Sequence, residues 1–534
     1  MTATDAVDEP ELPVMANPTL FSSLFSRRPP VPAATAVNEA GGAAYKRSDK
    51  QALAQYVATG CLNGTFYASA QEQLDAVRGL CGSLDPAFLA RAAVYARGRG
   101  YMKDMPALLL AVLAGRDGAL LEQVFARVID NGKMLRTFVQ IVRSGVTGRR
   151  SLGSRPKRLV QRWLADRSDA QVFAASVGNA PSLADIVKMV HPQPTTASRR
   201  ALYAYMIGRK YNHADLPREV RMYENFKTGV TRDVPDVPFQ MLTALQLGKA
   251  GWRAVAGNAG WQMTRMNLNT FLRHEVFDDH ALTRKIAARL ASSEEVQRAR
   301  AFPYQLLMAY TQVDPKVPRI VREALHDAME AALANVPEIP GKIYVLPDVS
   351  GSMHSPVTGK RKGATSQVRC IDVAALVAAA FLRRNPATEV IPFHDRVIRC
   401  DLARDGKVLA NARTLAGLPS GGTNCAVPLR ALNERKAKGD LVIFVSDNES
   451  WIDSKPRGRG TAVMHEWDAY RARNPRARLV CIDVQPSATM QAPDRDDILN
   501  VGGFSDAVFD IIAAFAGGGL RPDHWVGTID AIPL

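Results

Sequence analysis

The stretch KIYVLPDVSGSMHS, residues 342–355, decides how the carboxyl-terminal part of this chain is interpreted. Its apolar run, IYVL, is typical of a buried β-strand. An acid and two serines, Asp348, Ser350 and Ser352, follow that run within six residues. Polar side chains grouped at the end of a strand either form an ordinary polar turn or bind a ligand through their oxygen atoms. The rest of the chain distinguishes the two interpretations.

Three other segments share this design of a short apolar run that ends in a polar residue. They are TEVIPFHD (388–395), DLVIFVSD (440–447) and ARLVCIDVQ (477–485). Helical stretches such as IDVAALVAAAFLRR (371–384) lie between them. Because buried strands alternate with helices, the sequence predicts a doubly wound parallel sheet. Ligands bind such sheets at the carboxyl ends of the strands.

Two loops add further oxygens at these strand ends, GGTNCAVPL (421–429) and FVSDNES (444–450). The combined set offers two carboxylates and three hydroxyls, from Asp348, Ser350, Ser352, Thr423 and Asp447. Such ligands, completed by water, suit Mg²⁺, with Mn²⁺ or Ca²⁺ as alternatives. The absence of His and Cys from the set argues against zinc. The sequence therefore predicts a divalent metal site at this edge of the sheet.

The same residues do not make a catalytic group. A metal-assisted phosphatase places a second Asp two residues after its nucleophilic Asp, and Ser350 stands at that position here. The nine histidines form no HExxH motif, and no GxxxxGK[ST] loop is present. Asp447 and Glu449, two residues apart after a strand, are expected to point to opposite sides. We therefore predict a protein that is not an enzyme, and a metal-dependent hydrolase is the weakest alternative.

Length and charge suggest several domains and a polyanionic partner. A chain of 534 residues is too long for one core. Its net charge of +16 is uneven: residues 38–340 carry +14, residues 341–534 carry +4, and residues 1–37 carry −2. The surplus indicates nucleic acid as a partner, or only a basic surface. No apolar run reaches the ~18 residues of a membrane span, so we expect no membrane anchor. The six cysteines form no CxxC pair, which fits reduced thiols, and we expect a cytoplasmic protein.

We predict three parts along the chain. Residues 1–37 are proline-bearing and lack a sustained period, which predicts a flexible leader. Residues 38–340 have helical patterning with short breaks, and residues 341–534 form the sheet domain. Many helices in series predict a solenoid of helical pairs without a fixed repeat.

Two segments illustrate the helical patterning. In LDPAFLARAAVYAR (84–97), Asp85 is expected to cap a helix whose first turn holds a proline. In DMPALLLAVLAG (104–115), Asp104 stands in the corresponding place, and Gly115 is expected to end the helix.

Several longer stretches resemble a known family. NEAGGAAYKRSDKQALAQYVATGCLNGTFYAS (38–69), MTRMNLNTFLRHEVF (263–277) and EEVQRARAFPYQLLMAY (294–310) resemble signatures of the TROVE module. The DxSxS motif, with its later Thr and Asp, resembles the metal-ion-dependent adhesion site of a von Willebrand factor A domain. A TROVE module followed by an A domain is the architecture of the Ro autoantigen family, and this chain resembles a bacterial member.

The resemblance implies both a fold and a function. It implies a ring of HEAT-like helical pairs, closed by the A domain, with no catalytic activity of its own and monomeric when free of RNA. Small noncoding Y-like RNA would bind on the outer basic surface, and single-stranded 3′ ends of misfolded RNA in the central hole. RNA quality control, processing or decay would follow, in bacteria through polynucleotide phosphorylase, a 3′-exoribonuclease. The alternative is a scaffold whose A domain binds acidic groups of protein partners through metal.

One basic segment, residues 143–167, carries eight Lys or Arg against a single acid, Asp166. We predict that phosphates contact Arg149, Arg150, Lys157, Arg158 and Arg162. A solvated helix face is the alternative. The resemblance also implies that His191, in LADIVKMVHP, contacts RNA. A basic pair that the family places on the same surface is replaced here by Ala174 and Gly178.

Overall fold

The computed structural model describes residues 31–59, 62, 63, 65–299, 301, 303–357, 359, 360, 368–451, 460–503, 506–518 and 524–534. Residues 1–30 of the predicted leader lie outside this set. The last two residues of that leader form strand β1 (Ala36–Val37), which pairs with β2 (Ala43–Lys46).

Helices dominate the first two-thirds of the described chain, as predicted. The first ten are α1 (Asp49–Thr59), α2 (Ala70–Ser83), α3 (Pro86–Gly98), α4 (Asp104–Arg116), α5 (Gly118–Val128), α6 (Gly132–Ser144), α7 (Ser154–Ala165), α8 (Asp169–Ala174), α9 (Leu183–Val190) and α10 (Ala197–Ile207). The next nine are α11 (Arg218–Lys227), α12 (Phe239–Thr243), α13 (Lys249–Asn258), α14 (Trp261–Met266), α15 (Leu268–Arg273), α16 (His280–Ala291), α17 (Ser293–Ala299), α18 (Pro303–Gln312) and α19 (Arg319–Ala332). Within the described ranges, every helix is too short or too polar to cross a membrane.

Side-chain caps mark the start of several of these helices. The start of α3 is confirmed, because the Asp85 carboxylate accepts a 2.8 Å hydrogen bond from the backbone N–H of Phe88. The predicted end of α4 is wrong, since the helix continues past Gly115 to Arg116. The next residue, Asp117, caps α5 by accepting from two backbone N–H groups, and this cap separates the two helices.

The last third of the chain forms a five-stranded parallel sheet in the order β4-β3-β5-β6-β8. Its strands are β3 (Ile343–Pro347), β4 (Thr388–Val390), β5 (Leu441–Ser446), β6 (Arg478–Asp483) and β8 (Ile498–Gly502). The short β7 (Thr489–Met490) pairs with β2 instead. The helices of this domain are α20 (Cys370–Arg384), α21 (Val408–Ala416), α22 (Val427–Glu434), α23 (Ala462–Arg473), α24 (Asp506–Ala516) and α25 (His524–Asp530).

Both faces of this sheet are covered, so the doubly wound prediction is confirmed. In β3, Ile343 and Val345 face one hydrophobic core, where α20 packs on the sheet. Tyr344 and Leu346 face a second core, which residues of α22 and α23 complete. A helical region followed by this sheet domain gives the predicted α plus α/β fold.

The helical region contacts the sheet domain at both of its ends. At the start, α1 contacts β8 and α25, and the indole N–H of Trp525 donates to the Tyr95 hydroxyl over 3.1 Å. At the end, α18 contacts α20 and α19 contacts α21. A closed ring requires this connectivity.

Candidate metal centre and nucleic-acid surface

The predicted ligands meet where the strand order of the sheet reverses. The chain leaves β3 for β4 on one side and returns to β5 on the other side. The loops after β3 and β5 therefore diverge and leave a crevice, which is where open α/β sheets bind their ligands. Asp348 directly follows β3, and Asp447 directly follows β5.

Three hydrogen bonds fix Asp348 in this crevice. Its backbone N–H donates to the carbonyl of Val445 over 3.0 Å, which continues the pairing of β3 with β5. One carboxylate oxygen accepts from the backbone N–H of Ser350 at 2.8 Å, and the other accepts from the Ser446 hydroxyl at 2.6 Å. The carboxylate is fully buried. Its orientation is therefore set before any ligand binds.

Two of the predicted hydroxyl ligands, Ser350 and Ser352, lie close to this carboxylate. The Oγ atoms of Ser350 and Ser352 are 3.3 Å apart. The backbone N–H of Gly351 donates to the carbonyl of Gly421 over 3.0 Å, which holds the loop of Thr423 against the DVSGS turn. All five predicted ligands are buried. The structure therefore brings their three loops to one edge of the sheet.

The electrostatics of the crevice fit a cation. Both carboxylate oxygens of Asp447 are buried, and among the described residues neither accepts a hydrogen bond of good geometry, although the Ser352 hydroxyl and the backbone N–H of Glu449 lie close enough to stabilise its charge. Burial raises the pKa of Asp447, and burial together with the Asp447 charge raises the pKa of Asp348. Two such carboxylates stay ionised together only beside a cation. A set of two carboxylates and three hydroxyls offers only oxygen atoms, which suit Mg²⁺ or Mn²⁺. A different kind of metal site, built from three or more His, Cys, Asp or Glu side chains, is not found among the described residues.

Glu449 lies close to these ligands but is bound elsewhere. One oxygen of its carboxylate accepts from the backbone N–H of Ala40 at 3.3 Å, and the other accepts from the Ser487 hydroxyl at 3.2 Å. Burial and the charge of Asp447 raise the pKa of Glu449 to about 8. Its contact with Ala40 joins the crevice to the amino-terminal part of the chain.

Tyr67 is a second residue of the crevice that sequence reasoning did not select. Its phenol lies within hydrogen-bonding reach of the Ser352 side chain and near enough to Asp447 to be affected by its charge. Burial chiefly, and then the negative charge of Asp447, raises its pKa. The only signal in the sequence was the GTFY motif that ends at this tyrosine.

The predicted phosphate-binding residues on α7 lie on the side opposite its packed face. The packed face is formed by Pro156, Leu159, Val160, Trp163 and Leu164. Arg158 and Arg162 are exposed, and Lys157 is partly exposed. Arg162 forms a 3.0 Å ion pair with Glu122 of α5, an acid that the local sequence did not reveal.

The neighbouring arginines Arg149 and Arg150 have different surroundings. The guanidinium of Arg149 donates to the carbonyls of Ala114 and Leu152 at 2.9 and 3.0 Å, which ties its loop to the end of α4. Arg150 is exposed. Of these two predicted phosphate ligands, Arg150 is therefore the one that presents its charge to solvent.

His191 and the position of Gly178 complete this surface. His191 is exposed, ends α9 in a left-handed conformation (φ 50°), and its N–H donates to Val187 over 3.0 Å. A Cβ added to Gly178 would lie 2.6 Å from a guanidinium nitrogen of Arg136 on α6. A cation therefore lies beside a position where the family pattern has a basic residue. This cation, Arg136, stands 42 residues before Gly178 in the chain.

The fold and the crevice define a two-domain protein of the TROVE and von Willebrand A class. Residues 240–374 match the model of the TROVE domain, and residues 342–516 match that of the Ro60 vWA domain. The chain belongs to the Ro family, as an orthologue of the bacterial type.

Relatives over most of the chain agree with this assignment. The RNA-binding protein RO60 of Deinococcus radiodurans is 25% identical over 524 residues, covering 90% of this chain and 95% of that protein. The RNA-binding protein RO60 of Caenorhabditis elegans is 26% identical over 251 residues, covering 44% of this chain and 36% of that protein. The crystal structure of the D. radiodurans RO (RSR) protein has the same fold, with a TM-score of 0.62 and 23% identity over 89% of this chain and all of that one.

Proposed function

We propose that this chain is a non-enzymatic RNA-binding protein whose helical region binds a structured, Y-like RNA on its outer basic surface. The relatives named as RNA-binding proteins support the class of ligand. The observation that carries the proposal is made on helix α7. Its basic side chains lie on the face opposite the one that packs on the core. Helices α6 and α7 each contact α9, and the three helices form this surface.

The cations of this surface act by binding phosphate oxygens. Guanidinium groups form two parallel hydrogen bonds with a phosphate, and such contacts fix the register of an RNA without reading its sequence. Arg150 and Arg158 are exposed for this role, while Arg162 has to exchange its ion pair with Glu122. Arg136 and His191 extend the surface towards α9.

We further propose that single-stranded 3′ ends of misfolded RNA enter the opening enclosed by the helical region and the sheet domain. The contact of both ends of the helical region with the sheet domain supports such an opening. In this proposal the protein contributes to RNA quality control, processing or decay, with polynucleotide phosphorylase as the partner that degrades the RNA. A divalent ion held by Asp348 and Asp447 would leave coordination positions for oxygen ligands.

Salt-dependent RNA binding tests the surface. We would replace Arg150, Lys157 and Arg158 with Ala in the full chain and measure the affinity for one hairpin RNA between about 50 and 200 mM salt. Each lost phosphate contact removes roughly 0.7 to 0.9 units from the slope of log affinity against log salt, so the slope should flatten by about two to three units.

The control removes the same charge from another part of the helical region. Arg284, Lys285 and Arg298 are exposed on α16 and α17, and their replacement by Ala should leave the slope unchanged. Equal flattening in both triple variants would show a general charge effect instead of a binding surface. An unchanged slope in the first variant, with a normal circular dichroism spectrum, would overturn the proposal.

A further inference from the structure

A tight turn at the start of the helical region, residues 38–42, docks on the loop that follows Asp447. The side-chain amide of Asn38 donates to the carbonyl of Ser450 over 2.8 Å. The Asn38 side chain also accepts from the backbone N–H of Gly42 at 2.6 Å, which closes the turn. Asn38 is buried although its neighbours Val37 and Glu39 are exposed.

The approach of the two backbones is closer than any side chain at Gly42 would allow. A Cβ at this position would lie 2.1 Å from the carbonyl oxygen of Ser450. Only glycine permits this approach. The backbone N–H of Ala40 adds its contact with the carboxylate of Glu449. The turn therefore fixes the two residues that follow Asn448 in the metal-site loop.

A second segment from the same region reaches the crevice itself. Tyr67 lies in the loop between α1 and α2, and its phenol interacts with Ser352 and Asp447. The segment between the turn and this loop is anchored as well, since β2 pairs with β7 of the sheet domain. Two separate segments of the helical region therefore border a site whose predicted ligands all belong to the sheet domain.

We propose that the divalent-metal site is a composite site, completed by the turn 38–42 and by Tyr67. Metal binding and docking of the amino-terminal segment on the sheet domain then stabilise one another. This inference rests on the assignment of metal to Asp348, Ser350, Ser352, Thr423 and Asp447. The coupling is reciprocal by thermodynamic necessity: a turn that orders the Asp447 loop strengthens metal binding, and bound metal strengthens the docking of the turn.

Titration calorimetry of the full chain with Mn²⁺ tests this coupling. Asn38→Ala removes a docking contact and no predicted ligand, and it should weaken Mn²⁺ binding roughly 5- to 150-fold, the usual range of coupling between sites. Tyr67→Phe, which keeps the ring and removes the hydroxyl, should weaken it in the same direction. The matched control is Asn212→Ala, since Asn212 also closes a turn by accepting from a backbone N–H, that of Ala214. The Mn²⁺ affinity of the Asn212→Ala variant should equal that of the wild-type protein.

Hydrogen exchange gives a second test of the coupling. If the turn had only a structural role, Mn²⁺ would not change the exchange of its amides. Amides of residues 36–46 should exchange more slowly when Mn²⁺ is added to the wild-type protein, and Asp447→Asn should abolish this difference. Wild-type Mn²⁺ affinity in both Asn38→Ala and Tyr67→Phe would overturn the composite site while leaving the metal assignment intact. A wild-type protein that does not bind Mn²⁺ would overturn both. Neither result affects the RNA surface, which the salt slope tests separately.

Discussion

Replacing Arg47 with Met should destabilise the contact between the helical region and the sheet domain. Arg47 and Asp483 form an ion pair in which both side chains are almost fully buried. Arg47 also donates to the carbonyl of Ser487 over 3.1 Å, and Gln55 donates to the Asp483 carboxylate over 2.9 Å. Met preserves the length and apolar volume of the arginine stem but leaves the carboxylate without its cation.

Breaking a buried ion pair costs about 3–5 kcal/mol, and the remaining bond from Gln55 favours the lower value. The cost depends on pH. Burial already raises the pKa of Asp483 to about 7, against the attraction of Arg47, and removal of the arginine raises it further. The ordinary pKa of Asp483, which applies to the unfolded chain, is 3.8. Above that pH the unfolded chain has released the proton of this carboxyl group, whereas the folded protein still holds it because its pKa is raised. Between the unfolded pKa of 3.8 and the raised folded-state pKa, stability therefore falls as pH rises, by at most about 1.4 kcal/mol per pH unit.

Urea unfolding at pH 5.5 and pH 8, followed by circular dichroism, measures both effects. In Arg47→Met the free energy of unfolding should be about 3 kcal/mol below wild type at pH 8 and closer to wild type at pH 5.5. Adding Asp483→Asn to the variant should remove the extra pH dependence. A loss below about 1 kcal/mol at pH 8, or a variant with the wild-type pH dependence, would refute a paired, desolvated Asp483.

Three further outcomes are expected. Asp348→Ala removes one of two ligand charges and should greatly weaken Mg²⁺ binding in calorimetry while RNA binding persists; unchanged Mg²⁺ affinity would contradict the ligand assignment. Arg149→Ala should lower the melting temperature without changing the salt slope for RNA, whereas Arg150→Ala should flatten the slope by roughly 0.7 to 0.9 units at constant melting temperature. Purified protein should leave labelled RNA intact in Mg²⁺; degradation that disappears in Asp447→Ala would show catalysis.

The position of the crevice at the carboxyl ends of β3 and β5 could be predicted from sequence because it depends on local rules. A short apolar run followed by DVSGS indicates a strand and its carboxyl end, and parallel strands bring such ends together. The strand β8 could not be predicted in this way. The buried Asn500 interrupts the apolar pattern of this strand. The side-chain NH2 group of that residue donates to the carbonyl of Ala492 at 2.9 Å and to the carboxylate of Asp494 at 2.6 Å.

Contacts between distant residues account for the rest. Counting charges within residues 143–167 gave a single acid, yet the fold brings Glu122 to Arg162 from outside that segment. The glycine at position 178 similarly suggested a missing cation, and Arg136 supplies one from another helix. Composition and spacing describe neighbours along the chain, whereas partners of this kind are set by helix packing.

The contact of both ends of the helical region with one sheet domain would have a topological consequence for any RNA in the proposed opening. A polymer can thread a closed loop only through a free end, and a folded hairpin larger than the opening halts the threading. A circular RNA would be excluded for as long as the contact between α1, β8 and α25 persists. In this proposal, selection for free RNA ends would need no recognition of sequence, because it would follow from the contact of both ends of the helical region with the sheet domain.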